Sequence, residues 1–255
     1  MLNNATFWDG RLKAAGIHLA ISVAIAALAA WLVFFVWYPY PYRDISGGRE
    51  LFTLVVVIDV VMGPLLTLAV FNLNKPHKEL RRDLAVIAVL QLAALGYGLW
   101  TVAAARPVHL VFEMDRFRVV HAIEVEPELL KRAAPALQQL PLTGPTLLSI
   151  RPFKDSQESF DATMAALQGL SLGARPDLWQ SYEQAKPQII AAAKPVAELR
   201  KRFPARAGEI DNALKSAPAN APAGYLPLVG RNTFWTVIVN TNTAEVLAFV
   251  PLDPF

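Results

Sequence analysis

The chain has 255 residues, of which 54% are hydrophobic and only 18% are charged, and its formal net charge is +3. Soluble domains usually carry about 25% charged residues, so this composition favours a membrane part joined to a soluble part. The absence of cysteine excludes disulfides, thiolate nucleophiles and cysteine metal ligands. Residues 106–255 hold 16 Lys and Arg against 15 Asp and Glu without a basic stripe, so nucleic-acid binding is not expected.

Three apolar stretches predict a three-helix transmembrane bundle in residues 1–105. They run from Ile17 to Trp37, from Leu51 to Leu73 and from Leu84 to Ala105. Each is long enough for a helix to cross a bilayer, which takes about 20 residues. The first stretch continues well past the small-residue pattern at Ala27-Leu28-Ala29, which favours a retained helix over a cleaved signal peptide. Aromatic residues typical of an interfacial belt cluster at its end, and Trp100 lies near the end of the third stretch. The cluster comprises Trp31, Trp37, Tyr38, Tyr40 and Tyr42.

The Lys and Arg residues beside these stretches predict an orientation. Six lie on the side of the N-terminus: Arg11, Lys13, Lys75, Lys78, Arg81 and Arg82. The loop from Tyr38 to Glu50 on the other side has only Arg43 and Arg49. The more positive side is normally cytoplasmic. We therefore expect a cytoplasmic N-terminus and, in a Gram-negative cell, an inner-membrane protein with a periplasmic domain at residues 106–255.

Asp59 is the most informative residue of the membrane part. A carboxylate inside a membrane helix costs about 2.5–3.5 kcal/mol on insertion scales, so it needs a partner, a protein interior or a proton. Gly63 and Pro64 follow one turn later, and the proline ring cannot donate a backbone hydrogen bond and kinks a helix. One interpretation is a docking or coupling site. The other is structural, with Asp59 bound to Arg43 or Arg49 or to a freed backbone group.

Polar groups are otherwise scarce in the apolar stretches. Gln91 is the polar residue of the third, and His18 lies at the edge of the first. A proton path usually needs a chain of ionisable groups, so we do not expect one here. Small residues in the first and third stretches allow close helix packing, either within the bundle or against a partner helix.

Residues 106–255 predict an α+β domain in which helices pack on an antiparallel sheet. Strand patterns occur at Val108–Val125 with a bend near Met114, and at Thr146–Phe153, Tyr225–Val229, Thr233–Asn240 and Ala244–Val250. Helical patterns occur at Glu126–Leu140, at Ser156–Leu170 with Phe160, Met164 and Leu167 on one face, at Asp177–Ala207 with three proline breaks, and at Glu209–Ser216.

Chemical motifs are not found in the soluble part. The chain has no G-x-S-x-G, Walker A, G-x-G-x-x-G or H-E-x-x-H sequence. His109 and His121 have the acidic neighbours Glu113 and Glu124, which allows a metal site, but partly exposed strand histidines are the preferred interpretation. We therefore expect no enzymatic activity, no metal and no cofactor.

Several segments occur in an order and spacing that resemble a known family. They are RDISGGREL at 43–51, DVVMGPLLT at 59–67, RRDL at 81–84, ARPV at 105–108 and FEMDRF at 112–117. Together they resemble the TfpX/TfpZ family of type IV pilin accessory proteins, most clearly from about Phe7 to Glu126. The resemblance implies a non-catalytic inner-membrane protein that binds a type IV major pilin, through its membrane helix and its head domain. It also implies a role in the stability, assembly or surface display of that pilin.

The resemblance makes the intramembrane polar residues candidates for partner binding. The set comprises Asp59, Gly63, Pro64, Arg43, Arg49 and Gln91. The alternative function is a membrane-tethered extracytoplasmic sensor or a transporter subunit that binds a small ligand. The predicted cytoplasmic parts are too short for an output domain, and a permease normally has more helices in paired repeats. The sequence does not indicate an oligomeric state.

Overall fold

The computed structural model describes residues 4–72, 75–215, 217–218 and 221–255. The chain divides into two compact units. The first holds the residues up to Val36 together with Gly48–Ala104, and the second holds Trp37–Gly47 and Ala105–Phe255. We call Trp37–Gly47 the connector and the second unit the C-terminal domain. The domain is therefore built from two separate parts of the sequence.

Long helices form most of the described part of the first unit. In chain order the first four helices are α1 (Asn4–Trp31, continued by a π-helical segment Leu32–Trp37), α2 (Tyr42–Ile45, in the connector), α3 (Gly48–Val70) and α4 (His77–Ala104). α3 packs against both α1 and α4. Apolar side chains such as Leu28, Val61 and Leu90 are exposed, as contact with lipid requires.

The three predicted helices are confirmed as elements long and apolar enough to cross a membrane: Trp8–Trp37, Gly48–Val70 and His77–Ala104. Their observed starts precede the predicted ones because polar residues such as His77 and Lys78 continue the helix beyond the apolar run. The predicted end of the second stretch at Leu73 lies outside the described residues, as does Ser216 at the end of the last predicted helix.

The described residues of the C-terminal domain form one eight-stranded sheet. Its strands are β1 (Pro107–Glu113), β2 (Arg116–His121), β3 (Thr146–Ile150), β4 (Trp179–Ser181), β5 (Lys194–Pro195), β6 (Ala223–Val229), β7 (Phe234–Asn240) and β8 (Val246–Val250). The order is β4-β3-β1-β2-β6-β7-β8, and β5 pairs with one end of β6. Most pairings are antiparallel, whereas β1 with β3 and β2 with β6 are parallel. The predicted α+β class is confirmed.

Both faces of the sheet are covered. One face carries a cluster formed by Phe112, Phe117, Leu228 and Val237, onto which the connector packs Tyr42 and Ile45. The other face carries two clusters, one around Val111 and Trp179 and one around Leu199 and Ile238. Strand β1 is buried at every position because it lies in the middle of the covered sheet.

The connector belongs to this core. Ile45 is 1% exposed, and a Cβ added to Gly230 would lie 2.4 Å from its Cγ2 atom, so the glycine makes room for it. The Tyr42 ring meets Phe249 edge to face with a centroid distance of 5.9 Å. Tyr38 is also fully buried. The predicted interfacial belt is therefore wrong for Tyr38 and Tyr42, since both side chains are buried in the C-terminal domain.

Prolines begin helical segments here rather than only ending them. Helices α5 (Pro127–Leu130), α7 (Lys186–Ala192) and α8 (Val196–Arg202) each have proline at the N-cap or in the first turn, where its missing N–H costs nothing. The predicted helix at Glu126–Leu140 is wrong beyond α5, because Pro135 starts a separate 3-10 turn. Residues 179–181, also predicted helical, form β4. A last short helix, α9, spans Ala207–Leu214.

Helix α6 (Ser156–Leu167) has a side-chain cap at its N-terminus. The Asp155 side chain accepts a hydrogen bond of 2.8 Å from the Glu158 backbone N–H. Glu158 also forms a bidentate pair with Arg151, with N–O distances of 2.7 and 2.8 Å. This pair, with the Lys154 N–H, lowers the pKa of Glu158 to about 2. The side chains of Phe160, Met164 and Leu167, predicted to share one face, are exposed, and α6 instead buries Ala162.

The two strand histidines are buried. His109 lies 2.8 Å from the Thr146 hydroxyl and meets the Trp179 ring at a centroid distance of 4.6 Å. His121 has no exposed surface and lies 3.3 Å from a Glu124 oxygen. The expectation of partly exposed histidines is wrong, because β1 and β2 occupy the centre of a sheet covered on both faces. Burial lowers the pKa of His109 to about 4, so this ring is neutral at pH 7.

Candidate functional site

The first unit brings Asp59, Gly63 and Gln91 together where α3 packs on α4. The Gln91 Nε2 group donates to the Asp59 backbone oxygen at 3.1 Å and lies 3.4 Å from the Asp59 Oδ1 atom. Gly63 lies one turn further along α3. A Cβ at Gly63 would lie only 1.9 Å from Gln91 Nε2, so glycine is the residue that admits the amide. A carboxamide thus bridges the two helices at the half-buried carboxylate.

Pro64 lies inside α3, directly after Gly63. Its ring removes the N–H that would bond the carbonyl four residues earlier, at Val60. The turn beside the Asp59–Gln91 contact therefore combines a carboxylate, an amide and a backbone carbonyl without its helical donor. This concentration of polar groups is unusual for an apolar helix.

A second polar contact joins α1 to α3. The His18 Nδ1 atom lies 2.5 Å from the Thr67 hydroxyl oxygen, and Thr67 is buried. Ser22, one turn after His18, is buried as well. His18 also lies within electrostatic range of Asp59. The sequence analysis placed His18 at the edge of the bundle and missed this contact.

The spacing of three residues of α3 could have predicted these contacts from the sequence. Asp59, Gly63 and Thr67 are separated by four residues each, which places them on one side of a helix. Gln91 of α4 meets one end of this stripe, and His18 of α1 meets the other. The polar stripe of α3, comprising Asp59, Gly63 and Thr67, is thus contacted by both neighbouring helices.

The two arginines of the predicted set lie elsewhere. Arg43 belongs to the connector, where its Nε atom lies 3.8 Å from Asp44 and its guanidinium lies 5.6 Å from the centre of the Tyr40 ring. Arg49 is the second residue of α3. Ten residues separate it from Asp59, which is about 15 Å along a helix axis. Three of the six predicted site residues are therefore in mutual contact, with Pro64 adjacent to them.

A cleft of about 320 Å³ opens beside Asp59 between α3 and α4. Its lining is almost wholly apolar or small: Val55, Ile58, Asp59, Ala94, Leu95, Tyr97, Gly98, Thr101 and Val102. Gly98 allows the two helices to approach closely, because a Cβ there would lie 2.6 Å from a Val55 methyl carbon. An apolar cleft between small residues that ends at a carboxylate can accept side chains of a further helix and offers a hydrogen-bond acceptor.

Comparison with known proteins gives consistent matches. The family model described as "Fimbrial assembly protein FimB" matches residues 6–47, which cover most of α1 and the connector. The chain is 39% identical over 246 residues to the fimbrial assembly protein of serogroup I from Dichelobacter nodosus, covering 95% of both chains. It is 37% identical to the serogroup E1 protein of that organism, again covering 95% of both.

The fimbrial assembly protein of serogroups C1 and C2 from the same organism is 47% identical over 108 residues. That match covers 42% of this chain and 82% of the relative. No solved structure matches the chain. Identity near 40% along almost the full length of both chains leaves the relationship clear, and the protein belongs to the fimbrial assembly protein family.

Proposed function

We propose that this protein is a non-enzymatic accessory protein of type IV pilus biogenesis that binds a pilin and assists its stability, assembly or surface display. The observation that carries the proposal is the similarity over 95% of the chain to fimbrial assembly proteins. Those relatives are named for assembly rather than for a chemical reaction. The sequence motifs that resemble the TfpX/TfpZ family point to the same partner, a type IV major pilin.

The proposed location is the bacterial inner membrane, with the C-terminal domain in the periplasm. Tyr42 and Ile45 of the connector pack in one core with strands of residues 105–255. This packing supports a location of both parts on the same side of the membrane, which requires an even number of crossings between them. Helices α3 and α4 supply two. The positive charges near Arg11 and Arg81 favour the cytoplasm for the opposite side.

The proposed membrane contact is the cleft that ends at Asp59. A pilin waiting for assembly spans the membrane with one apolar helix and carries a globular head outside the cytoplasm. Small residues such as Ala94 and Gly98 line the cleft and permit close approach of a helix backbone. Asp59 retains acceptor capacity beyond its contact with Gln91, since a carboxylate offers about four lone-pair sites. A polar group of the pilin helix finds a partner there, while the C-terminal domain recognises the head.

Co-purification tests the proposal directly. The tagged full-length chain is extracted in mild detergent from cells that express the pilin, and the bound protein is identified by mass spectrometry. The pilin is expected as the main partner. Asp59→Ala is expected to reduce its recovery several-fold, whereas Asp115→Ala, in the exposed turn between β1 and β2, is the matched control and leaves recovery unchanged.

The outcomes separate the two levels of the proposal. Failure of the unaltered protein to recover pilin under these conditions would refute pilin binding. Full recovery with Asp59→Ala would refute the membrane contact at Asp59 but leave pilin binding intact. Recovery that falls equally with Asp115→Ala would refute a specific contact at Asp59.

A further inference from the structure

Arg106 lies where the chain leaves helix α4 and enters the C-terminal domain. It is the second residue after the end of α4 at Ala104, so chain connectivity keeps the two Cα atoms within about 8 Å. It is also the first charged residue after the uncharged stretch from Leu84 to Ala105. A charged side chain at the end of a membrane helix lies near the lipid headgroups. Residues bonded to Arg106 are therefore expected to lie near the headgroups as well.

Two loops of the domain are bonded to Arg106. Its carbonyl oxygen accepts a hydrogen bond of 2.9 Å from the Ala122 N–H. Its guanidinium donates to the Pro141 carbonyl oxygen, with N–O distances of 3.1 and 3.3 Å. Ala122 and Leu140 also pack against an apolar cluster of the domain core. Both loops are thus fixed to the core and to the residue that follows α4.

Each loop exposes a large apolar side chain directly after its contact with Arg106. Ile123, which follows Ala122, is 65% exposed, and Leu142, which follows Pro141, is 75% exposed. Single exposed apolar residues are common on soluble domains. These two are distinguished by position, because each is the sequence neighbour of a residue bonded to Arg106. We call Ile123 and Leu142 the apolar rim.

We infer that the apolar rim inserts into the headgroup region of the bilayer beside α4 and holds this end of the C-terminal domain on the lipid. Apolar side chains at membrane surfaces reach a depth of about 5–10 Å. A lipid surface is the partner that the position specifies, since chain connectivity places Arg106 beside the end of a membrane helix. The inference rests on the proposed membrane location, through α4, and does not depend on pilin binding. Both side chains lie outside the core, so their truncation changes contact with lipid more than the stability of the fold.

The other end of the β1–β2 hairpin provides a matched control. Met114 lies in the turn between the two strands and is 68% exposed. Strand β1, Pro107–Glu113, separates it from Arg106, and seven residues of a strand span about 23 Å. Met114 is thus apolar and as exposed as the rim residues, but it is not bonded to the residue that follows α4. We expect its side chain to contact water.

Single-cysteine labelling in lipid nanodiscs tests the inference, because the chain has no cysteine of its own. A nitrobenzoxadiazole fluorophore is attached to the full-length protein at Ile123→Cys, Leu142→Cys or Met114→Cys. Lipids with a nitroxide near the start of the acyl chain are expected to quench the two rim labels about twofold or more, since the rim reaches about that depth. The Met114 label is expected to keep its fluorescence. A label at Leu90→Cys, an exposed position within α4, is the positive control and is quenched by lipids with a nitroxide deeper in the chain.

A second variant tests whether the rim side chain itself holds its loop on the lipid. A label at Thr143→Cys, the exposed neighbour of Leu142, is expected to be quenched in the same way. Adding Leu142→Asn is expected to reduce that quenching about twofold or more, because a polar amide enters the bilayer less readily than leucine. Adding Met114→Asn is expected to leave the quenching unchanged.

The possible results separate this inference from the proposed function. It is overturned if the rim labels are quenched no more than the Met114 label, or if Leu142→Asn does not alter quenching at Thr143→Cys. Rim labels that resist both lipid quenching and aqueous iodide would show that a protein covers them, and would also overturn it. Absence of quenching at Leu90→Cys would refute the membrane crossing of α4, and with it both this inference and the proposed location. Failure to recover pilin would refute pilin binding alone, and the rim labels would still be quenched.

Discussion

Replacing Ile45 by alanine tests whether the connector is part of the C-terminal domain. The side chain is 1% exposed and packs against Gly230. Losing three buried carbon groups costs about 2.4 kcal/mol at about 0.8 kcal/mol each. The cavity left in a core that relaxes only in part raises the cost to about 3 kcal/mol. The matched control is Ile123→Ala, because Ile123 is 65% exposed and its truncation is expected to cost less than about 0.5 kcal/mol.

Hydrogen exchange of the β6 and β7 amides is the suitable assay, since these central strands exchange through unfolding of the domain. A loss of about 3 kcal/mol corresponds to exchange roughly a hundredfold faster, at 1.4 kcal/mol per factor of ten. The full-length chain in detergent is used for all variants, so that the helices remain intact. If Ile45→Ala accelerates exchange no more than Ile123→Ala does, the connector contributes nothing to the cooperative core and the reasoning fails.

Three further predictions concern other parts of the chain. Gly63→Ala pushes the flexible end of the Gln91 side chain out of its hydrogen bonds with Asp59, which is expected to cost about 1 kcal/mol. The thermal unfolding midpoint of the helical unit should therefore be lower than that of the control Gly96→Ala, whose added Cβ meets nothing within 4 Å. Because the pKa of His109 is lowered to about 4, unfolding takes up a proton between pH 6.5 and 4. The free energy of unfolding is therefore unaffected by this group above pH 6.5 and falls by about 3 kcal/mol as the pH approaches 4. Denaturant midpoints should show that fall in the unaltered protein and a flatter profile in His109→Leu. The pKa of Glu158, about 2, gives a similar dependence at more acidic pH. The contribution of Glu158 to the free energy of unfolding is complete above pH 4.5 and disappears as the pH falls toward 2. Glu158→Gln should lose that acid dependence when unfolding is measured at a series of pH values.

The membrane helices and the first hairpin could be predicted from the sequence for local reasons. An uncharged run from Ile17 to Trp37 has few ways to satisfy its backbone in lipid other than as a helix. Alternating residues on both sides of Met114 and Asp115 predicted the β1–β2 hairpin. The chain turns there in the structure, and Met114 has a φ of 59°. Such features depend on neighbours within a few residues, which the sequence displays directly.

Features that depend on distant partners could not be predicted in the same way. Tyr42 looks like an interfacial aromatic, but its ring partner is Phe249 at the far end of the chain. The parallel pairings of β1 with β3 and of β2 with β6 also join segments whose patterns carry no sign of direction. The helix predictions around the prolines were partly wrong because proline can either begin a helix or interrupt one, and the sequence does not distinguish the two.

The polar site of the membrane helices falls between these cases. Asp59 and Gln91 stand out in the sequence because Asp59 is the lone charged residue of its apolar stretch and Gln91 is the lone amide side chain of the next, and the structure brings them into contact. His18 and Thr67 do not stand out, since a histidine near a helix end and a threonine are common in membrane helices. Only the register between α1 and α3 shows that they meet.

The buried connector also links membrane insertion to folding of the domain. Ile45 is made early and its contacts near Thr233 lie 188 residues later, so the connector waits outside its final core until the last strands of the sheet arrive. In the proposed topology, a chain in which only one of α3 and α4 inserts would have the connector and β8 on opposite sides of the bilayer. Its domain would then lack Tyr42 and Ile45 and expose the apolar surface that they cover. In the proposed topology, insertion of both α3 and α4 is therefore a condition for completing the core of the C-terminal domain.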